Sequence, residues 1–142
     1  MVNADLAMRF KVNADRMWAM LTGPDLVPVL LDTYAAKVEM QPGEKGTMLV
    51  TTLKSGGIVR ERIDSVDPEE RCMKYRVLDA GPLPYAGYRG EARVQPCGPD
   101  ACVVYFQCSF IAVEMPEAEA RAYWVNHNTK VMGAMRTVLE AG

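Results

Sequence analysis

SGGIVRERIDSVDPEERCMKYRV, residues 55–77, holds two strand-length alternations joined by a turn. Counting by twos from Val59 sets Val59, Glu61 and Ile63 on one side and Arg60, Arg62 and Asp64 on the other, the period of a half-buried strand. After the turn Asp67-Pro68-Glu69-Glu70 the alternation resumes, with Met73, Tyr75 and Val77 on an apolar face and Lys74 and Arg76 on a charged one. Two antiparallel strands with one wet face and one dry face follow. Within the dry face stands a single carboxylate, Glu61. An ionised carboxylate among Val, Ile, Met and Tyr is costly to dehydrate unless it is paired, hydrogen-bonded, protonated or reached by cavity water. Two readings of Glu61 stay open: a functional group inside a cavity, or a Glu near the open end of the sheet, solvated or paired with an arginine.

The same parity argument extends in both directions. Leu6, Met8, Phe10 and Val12 alternate with charged residues in a first strand. Asn13 then offers an N-cap to a short helix with Met17, Trp18 and Leu21 on one stripe, ended by Gly23-Pro24. A second short helix is expected from Pro24 to about Leu31, weakened by Pro28. Tyr34, Ala36, Val38 and Met40 form the dry side of the next strand, and a turn at residues 42–46 leads to a strand over residues 47–54 that is apolar at both parities. Beyond residue 77, strands over 85–94 and 101–112 place Tyr88, Gly90, Ala92 and Val94, then Val104, Phe106, Cys108 and Phe110, on the inner face. Pro116 opens a long terminal helix whose inward stripe is Trp124, His127, Asn128, Val131, Ala134, Met135 and Val138.

These elements predict an α+β chain: a seven-stranded curved antiparallel sheet, two short helices after the first strand, and one terminal helix long enough to cover the concave face. Leu6, Phe10, Trp18, Val38, Ile63, Val77, Phe106 and Val138 are the expected core. The missing side-chain volume at Gly90 and Ala92, beside His127, predicts either a cavity between helix and sheet or close packing at Gly90.

At 142 residues the chain is read as one domain, 1–142, able to hold a core without staples. A net charge of −2 with interspersed Lys and Arg argues against nucleic acid as a partner. The N-terminus lacks the pattern of a signal peptide and no segment has the apolar length of a membrane span, so a cytoplasmic protein is expected. Cys72, Cys97, Cys102 and Cys108 lack zinc-site spacing, and with one histidine no metal or other cofactor is expected. Cys97 and Cys102 could meet across a hairpin, free thiols being the preferred state, and Cys102 and Cys108 are expected to be buried. A homodimer is left open.

Ala14-Asp15-Arg16-Met17-Trp18, the turn Pro42 to Gly46, Gly57 with Val59 to Ile63, Val66-Asp67-Pro68, Tyr75-Arg76-Val77, Gly81-Pro82-Leu83-Pro84 and Tyr88-Arg89-Gly90 together resemble the START-related, birch-pollen-allergen-like (SRPBCC) superfamily. The likeness covers nearly the whole chain and is strongest to the polyketide cyclase/dehydrase branch. It implies a helix-grip fold with a cavity for a small hydrophobic or aromatic ligand. Glu61 matches the position of the catalytic Glu of plant norcoclaurine synthases, but their Tyr two residues earlier is Val59 here and their strand Lys falls at Met73, so their chemistry does not carry over. The turn Ser55-Gly56-Gly57 is too short for the gate loop of the hormone-receptor branch, and the iron ligands of the oxygenase branch are missing.

The candidate catalytic pair is Glu61 as general base with His127 as acid or orienting partner. Tyr34, Met73, Tyr75, Tyr88, Phe106, Trp124, Asn128 and Val131 are candidate ligand contacts, with Tyr75 and Tyr88 steering an enol or carbonyl oxygen. Two functions follow: a cofactor-free lyase or isomerase that cyclises, dehydrates or isomerises a polyketide-like molecule, or a carrier or sensor of lipid or another small hydrophobic molecule.

Overall fold

The computed structural model describes residues 1–141. β1 (Val2–Phe10) leads to Asn13, whose Oδ1 accepts the backbone N–H groups of Asp15 (2.9 Å) and Arg16 (3.4 Å) and so starts α1 (Ala14–Thr22). α2 (Leu26–Thr33) begins two residues later than the sequence pattern suggests. Pro28 falls in its first turn, where a backbone N–H has no helical partner to lose, so it does not break the helix.

Six strands follow: β2 (Ala35–Gln41), β3 (Met48–Leu53), β4 (Ile58–Asp67), β5 (Cys72–Asp79), β6 (Tyr85–Pro96) and β7 (Cys102–Ala112). All neighbours are antiparallel, in the order β1-β7-β6-β5-β4-β3-β2. The two helices thus carry the chain from one edge of the sheet to the other. α3 (Glu117–Glu140) is fastened along β1: Arg121 Nε donates to the Asn3 carbonyl (3.1 Å), Arg136 donates to that of Arg9, and the Lys11 N–H donates to Glu140 (2.7 Å). Because α3 packs chiefly on β1 and α2, the curved wall formed by β3 to β5 stands away from it. The dense core lies under the fastened half, where Phe10, Val104 and Phe110 meet Met17, Trp124, Met132 and Met135.

The sheet carries four register shifts, and besides the one between Arg60 and Glu61 against β5, three alter the alternation read from the sequence. A bulge between Ala35 and Lys37 turns Ala35 inward and leaves Ala36, expected on the dry face, exposed. A register shift between Ile63 and Ser65 lets Val66 pair with Met73 and join the inner face. Gly87, at φ +59°, makes a third between Ala86 and Arg89, bringing Tyr85 to the same buried face as Tyr88. In β3, Thr51 and Leu53 are buried and Val50 is buried as well, which accounts for its apolar character at both parities.

Phe10 and Phe106 are buried as expected, while Leu6, Trp18, Val38, Ile63 and Val77 are half-buried. For Ile63 and Val77 the cause is local, since both face a cavity rather than a filled core. Val138 is not core: it is 53% exposed. Along α3 the buried stripe drifts from Ala120, Trp124 and Val131 towards Met132, Met135 and Leu139, turning Val138 to solvent where the helix lies down on the end of β1. All four cysteines are free thiols; Cys72, Cys102 and Cys108 are buried and Cys97 is exposed.

Phe106 packs between the core and the cavity, and its truncation to Ala leaves a hole that rigid strands cannot close. Denaturant titration of Phe106→Ala should show a loss of about 3–5 kcal/mol. A loss under about 0.5 kcal/mol would mean that the side chain contributes no buried packing.

Candidate functional site

Between α3 and the detached part of the sheet lies a cavity of about 310 Å³, at the small end of the range for small-molecule sites. Glu61 of β4, Met73 and Tyr75 of β5, Tyr88 of β6 and Phe106 of β7 line it from the sheet. Trp124, His127, Asn128 and Val131 line it from α3, and Tyr34 closes the end of α2. The structure therefore brings all ten candidate residues onto one cavity. Sequence reasoning missed its aliphatic end, made by Leu21 of α1 and Leu26, Val27 and Leu30 of α2, and it missed Tyr85. The signal for Tyr85 was present in Tyr85-Ala86-Gly87-Tyr88, since a glycine near a strand start marks a bulge that resets parity.

Among the described residues Glu61 is the only formally charged one on the cavity wall. Val59 and Ile63 flank it along β4, and Leu49 and Val77 lie opposite it on β3 and β5. Among the described residues its carboxyl makes no hydrogen bond and no ion pair; the neighbouring Arg62 and Arg76 instead share Asp64 on the other face, at 2.7 and 2.8 Å. Glu61 is half-buried, and the surface it retains belongs to the cavity that it lines. Burial alone pushes its pKa up to about 7. A group so placed is able both to give and to take a proton near neutrality.

The phenols around it are held in place by packing. A Cβ at Gly90 would come within 2.4 Å of Tyr75 Cζ, so the bare backbone of β6 is what lets the Tyr75 ring lie across it. That ring stacks on Tyr88 at 6.2 Å between centroids, and Tyr88 Oη accepts the indole N–H of Trp124 at 2.8 Å. Gly90 is thus a seat for Tyr75 rather than an empty contribution to the cavity. The Tyr34 hydroxyl faces Thr51 and that of Tyr75 faces Tyr88. Among the described residues the buried hydroxyls of Thr51 and Tyr85 have no hydrogen-bond partner. Burial first, and the charge of Glu61 second, drive the pKa values of Tyr34 and Tyr75 well above the ordinary phenol range, so these groups stay protonated donors.

His127 presents its ring edge-on to Tyr34 at 4.4 Å and lies parallel to Tyr123 at 6.3 Å. Burial, with Lys130 nearby, lowers its pKa, so its imidazole is neutral at pH 7. It shares the cavity with Glu61, yet no hydrogen bond or ion pair joins the two among the described residues. Asn128 donates to the Trp124 carbonyl at 3.0 Å, which leaves its amide oxygen for a ligand.

A second depression, of about 830 Å³, is lined mainly by outward-facing side chains of the sheet together with Arg121 and Val125 of α3 and is open and polar, with Lys74, Arg76, Arg89 and Arg121 interspersed among Asp5, Asp64 and Glu91. Charges of both signs alternate there, whereas the enclosed side holds a single carboxyl among apolar and aromatic side chains. Among the described residues no three His, Cys, Asp or Glu side chains converge to hold a metal ion, and no helix is long and apolar enough to cross a membrane.

The same architecture recurs in proteins of distant sequence. The protein XoxI from Bacillus cereus superposes with a TM-score of 0.84 at 18% identity, over 98% of this chain and 96% of that one. Norcoclaurine synthase from Thalictrum flavum, solved in complex with dopamine and hydroxybenzaldehyde, gives 0.75 at 21% identity over 98% and 86% of the two chains. The Zhui aromatase/cyclase from Streptomyces sp. R1128 gives 0.71 at 19% identity over 99% and 97%. At these identities the likeness is one of fold, the helix grip. No curated protein matches the chain. The sequence profile described as polyketide cyclase/dehydrase and lipid transport matches residues 1–140, and the chain belongs to that family.

Proposed function

We propose that the protein binds a small aromatic, polyketide-like molecule in this cavity and moves a proton on it without a cofactor, as in cyclisation, dehydration or isomerisation. The observation that carries this reading is the unpaired carboxyl of Glu61, enclosed by apolar and aromatic side chains and poised near neutrality. As general base, Glu61 takes a proton from carbon or oxygen of the ligand. The protonated phenols of Tyr34 and Tyr75 donate to the enol or carbonyl oxygen on which charge develops. His127, neutral and without a protein partner, returns a proton or orients the ligand. The family description and the aromatase/cyclase among the structural neighbours support ring chemistry.

A second reading, transport of a lipid or another small hydrophobic molecule, is favoured by the lack of contact between Glu61 and His127 and by the aliphatic walls that α1 and α2 supply. Under it Glu61 and His127 only satisfy ligand hydroxyls.

Exchange of the methyl protons of 2-acetylnaphthalene in heavy water, followed by NMR, separates the two. Under the enzymatic reading the protein accelerates exchange, the rate rises with pH through about 7 as Glu61 ionises, and Glu61→Gln lowers it by roughly 10²-fold. Exchange at the wild-type rate in Glu61→Gln removes Glu61 as the base; binding with no acceleration leaves the transport reading.

A test that needs no ligand comes from stability. The folded-state pKa of Glu61, about 7, lies above its ordinary value of 4.5, so the stabilising contribution of the protonated form is complete below about pH 4.5 and is lost as pH rises through 7. Relative to Glu61→Gln, the wild type should therefore lose up to roughly 3 kcal/mol between pH 4 and pH 8 in urea titrations. A stability difference that stays constant over that range would place the carboxyl in water or against a cation.

A further inference from the structure

The strand parity that turns Glu61 inward turns every neighbouring cation outward. Arg62 and Arg76 are held by Asp64 on the far face of the sheet, Arg93 pairs with Glu91 there, and among the described residues no Lys or Arg lines the cavity. The titratable groups that face Glu61 are phenols and an imidazole: Tyr34 from the end of α2, Tyr75 from β5, Tyr85 and Tyr88 from β6, and His127 from α3. α1 supplies only Leu21, Thr22 and the Gly23 turn, and β7 contributes Phe106. Lys130, one turn beyond His127, is exposed. The interior therefore offers one negative group, several hydroxyl donors and nothing positive.

We propose that Glu61 acts as a charge filter: the cavity admits uncharged carbonyl- or phenol-bearing ring compounds and rejects carboxylates of the same size and shape. This rests on the ligand-binding reading above and names the class of ligand within it. A carboxylate entering the cavity loses its hydration and meets no counter-ion, only a second carboxylate. It enters only if a proton from solvent neutralises Glu61. An uncharged ketone or phenol meets the hydroxyls of Tyr34 and Tyr75 at no such cost. The filter excludes free fatty acids and free-acid polyketides, so a substrate of this site arrives as an ester, a thioester or a decarboxylated ketone.

The test compares 2-acetylnaphthalene with 2-naphthoate, which match in ring system and bulk and differ in charge, by calorimetric or fluorescence titration of the intact protein at pH 5.5 and pH 8. Desolvation disfavours naphthoate at both pH values, so the readout is the change in the affinity ratio. Because naphthoate enters only with Glu61 protonated, and Glu61 changes state near pH 7, the preference for the ketone grows about tenfold between pH 5.5 and pH 8. Glu61→Gln should hold the ratio constant across that range. The wild-type pH series stands alone if the variant folds poorly. A wild-type ratio that does not change with pH, or a pH-dependent ratio that survives in Glu61→Gln, overturns the filter. Binding of neither compound at either pH overturns the ligand-binding reading on which it rests.

Discussion

An unpaired carboxyl group enclosed by apolar and aromatic side chains is the constraint on which the rest of the site depends. Desolvation penalises its charged form, and with Arg62 and Arg76 committed to Asp64 across the sheet nothing nearby offsets that penalty. The same penalty fixes the state of the groups around it. Buried phenols beside a carboxylate stay protonated, and a buried imidazole stays neutral. The cavity thus holds donors, one acid that changes state near neutrality, and no cation.

The fold makes room for this group by holding α3 to only part of the sheet. Backbone and side-chain hydrogen bonds tie α3 to β1 at both ends, and Trp124, Met132 and Met135 fill the space beneath. Farther round the curve, β3 to β5 stand clear, and α1 and α2 cap the gap with aliphatic side chains. The rigid part of the cavity is its aromatic end, where the Tyr75 ring is seated on Gly90 and Tyr88 is bound to the Trp124 indole. Dense packing on one side and open space on the other arise from the same helix. That division lets a small chain keep its stability while leaving a carboxyl group without a partner.

Period-two alternation made most of this arrangement legible before the structure. Val59, Glu61 and Ile63, and Met73, Tyr75 and Val77, face inward as their spacing requires, and the Asn13 cap starts α1 as its residue type requires. Alternation failed where it was interrupted. Tyr85 was missed and Ala36 misplaced because bulges reset parity, and a bulge is a tertiary accommodation that residue spacing alone does not encode, even where Gly87 hints at it. Val138 was misplaced because the buried stripe of α3 rotates as the helix crosses the end of β1. The contributions of Leu26, Val27 and Leu30 were invisible because an apolar short helix reads as ordinary core until the position of the empty space is known. Likewise, Gly90 reads as missing volume until the ring that occupies it is seen.

The most direct measurement is an NMR titration of the Glu61 side-chain carboxyl carbon in the ligand-free protein, assigned by comparison with Glu61→Gln. An unpaired, enclosed group gives a midpoint near pH 7. A midpoint in the ordinary glutamate range, around 4.5, would show a hydrated or paired carboxylate and would contradict the account of the site built on it.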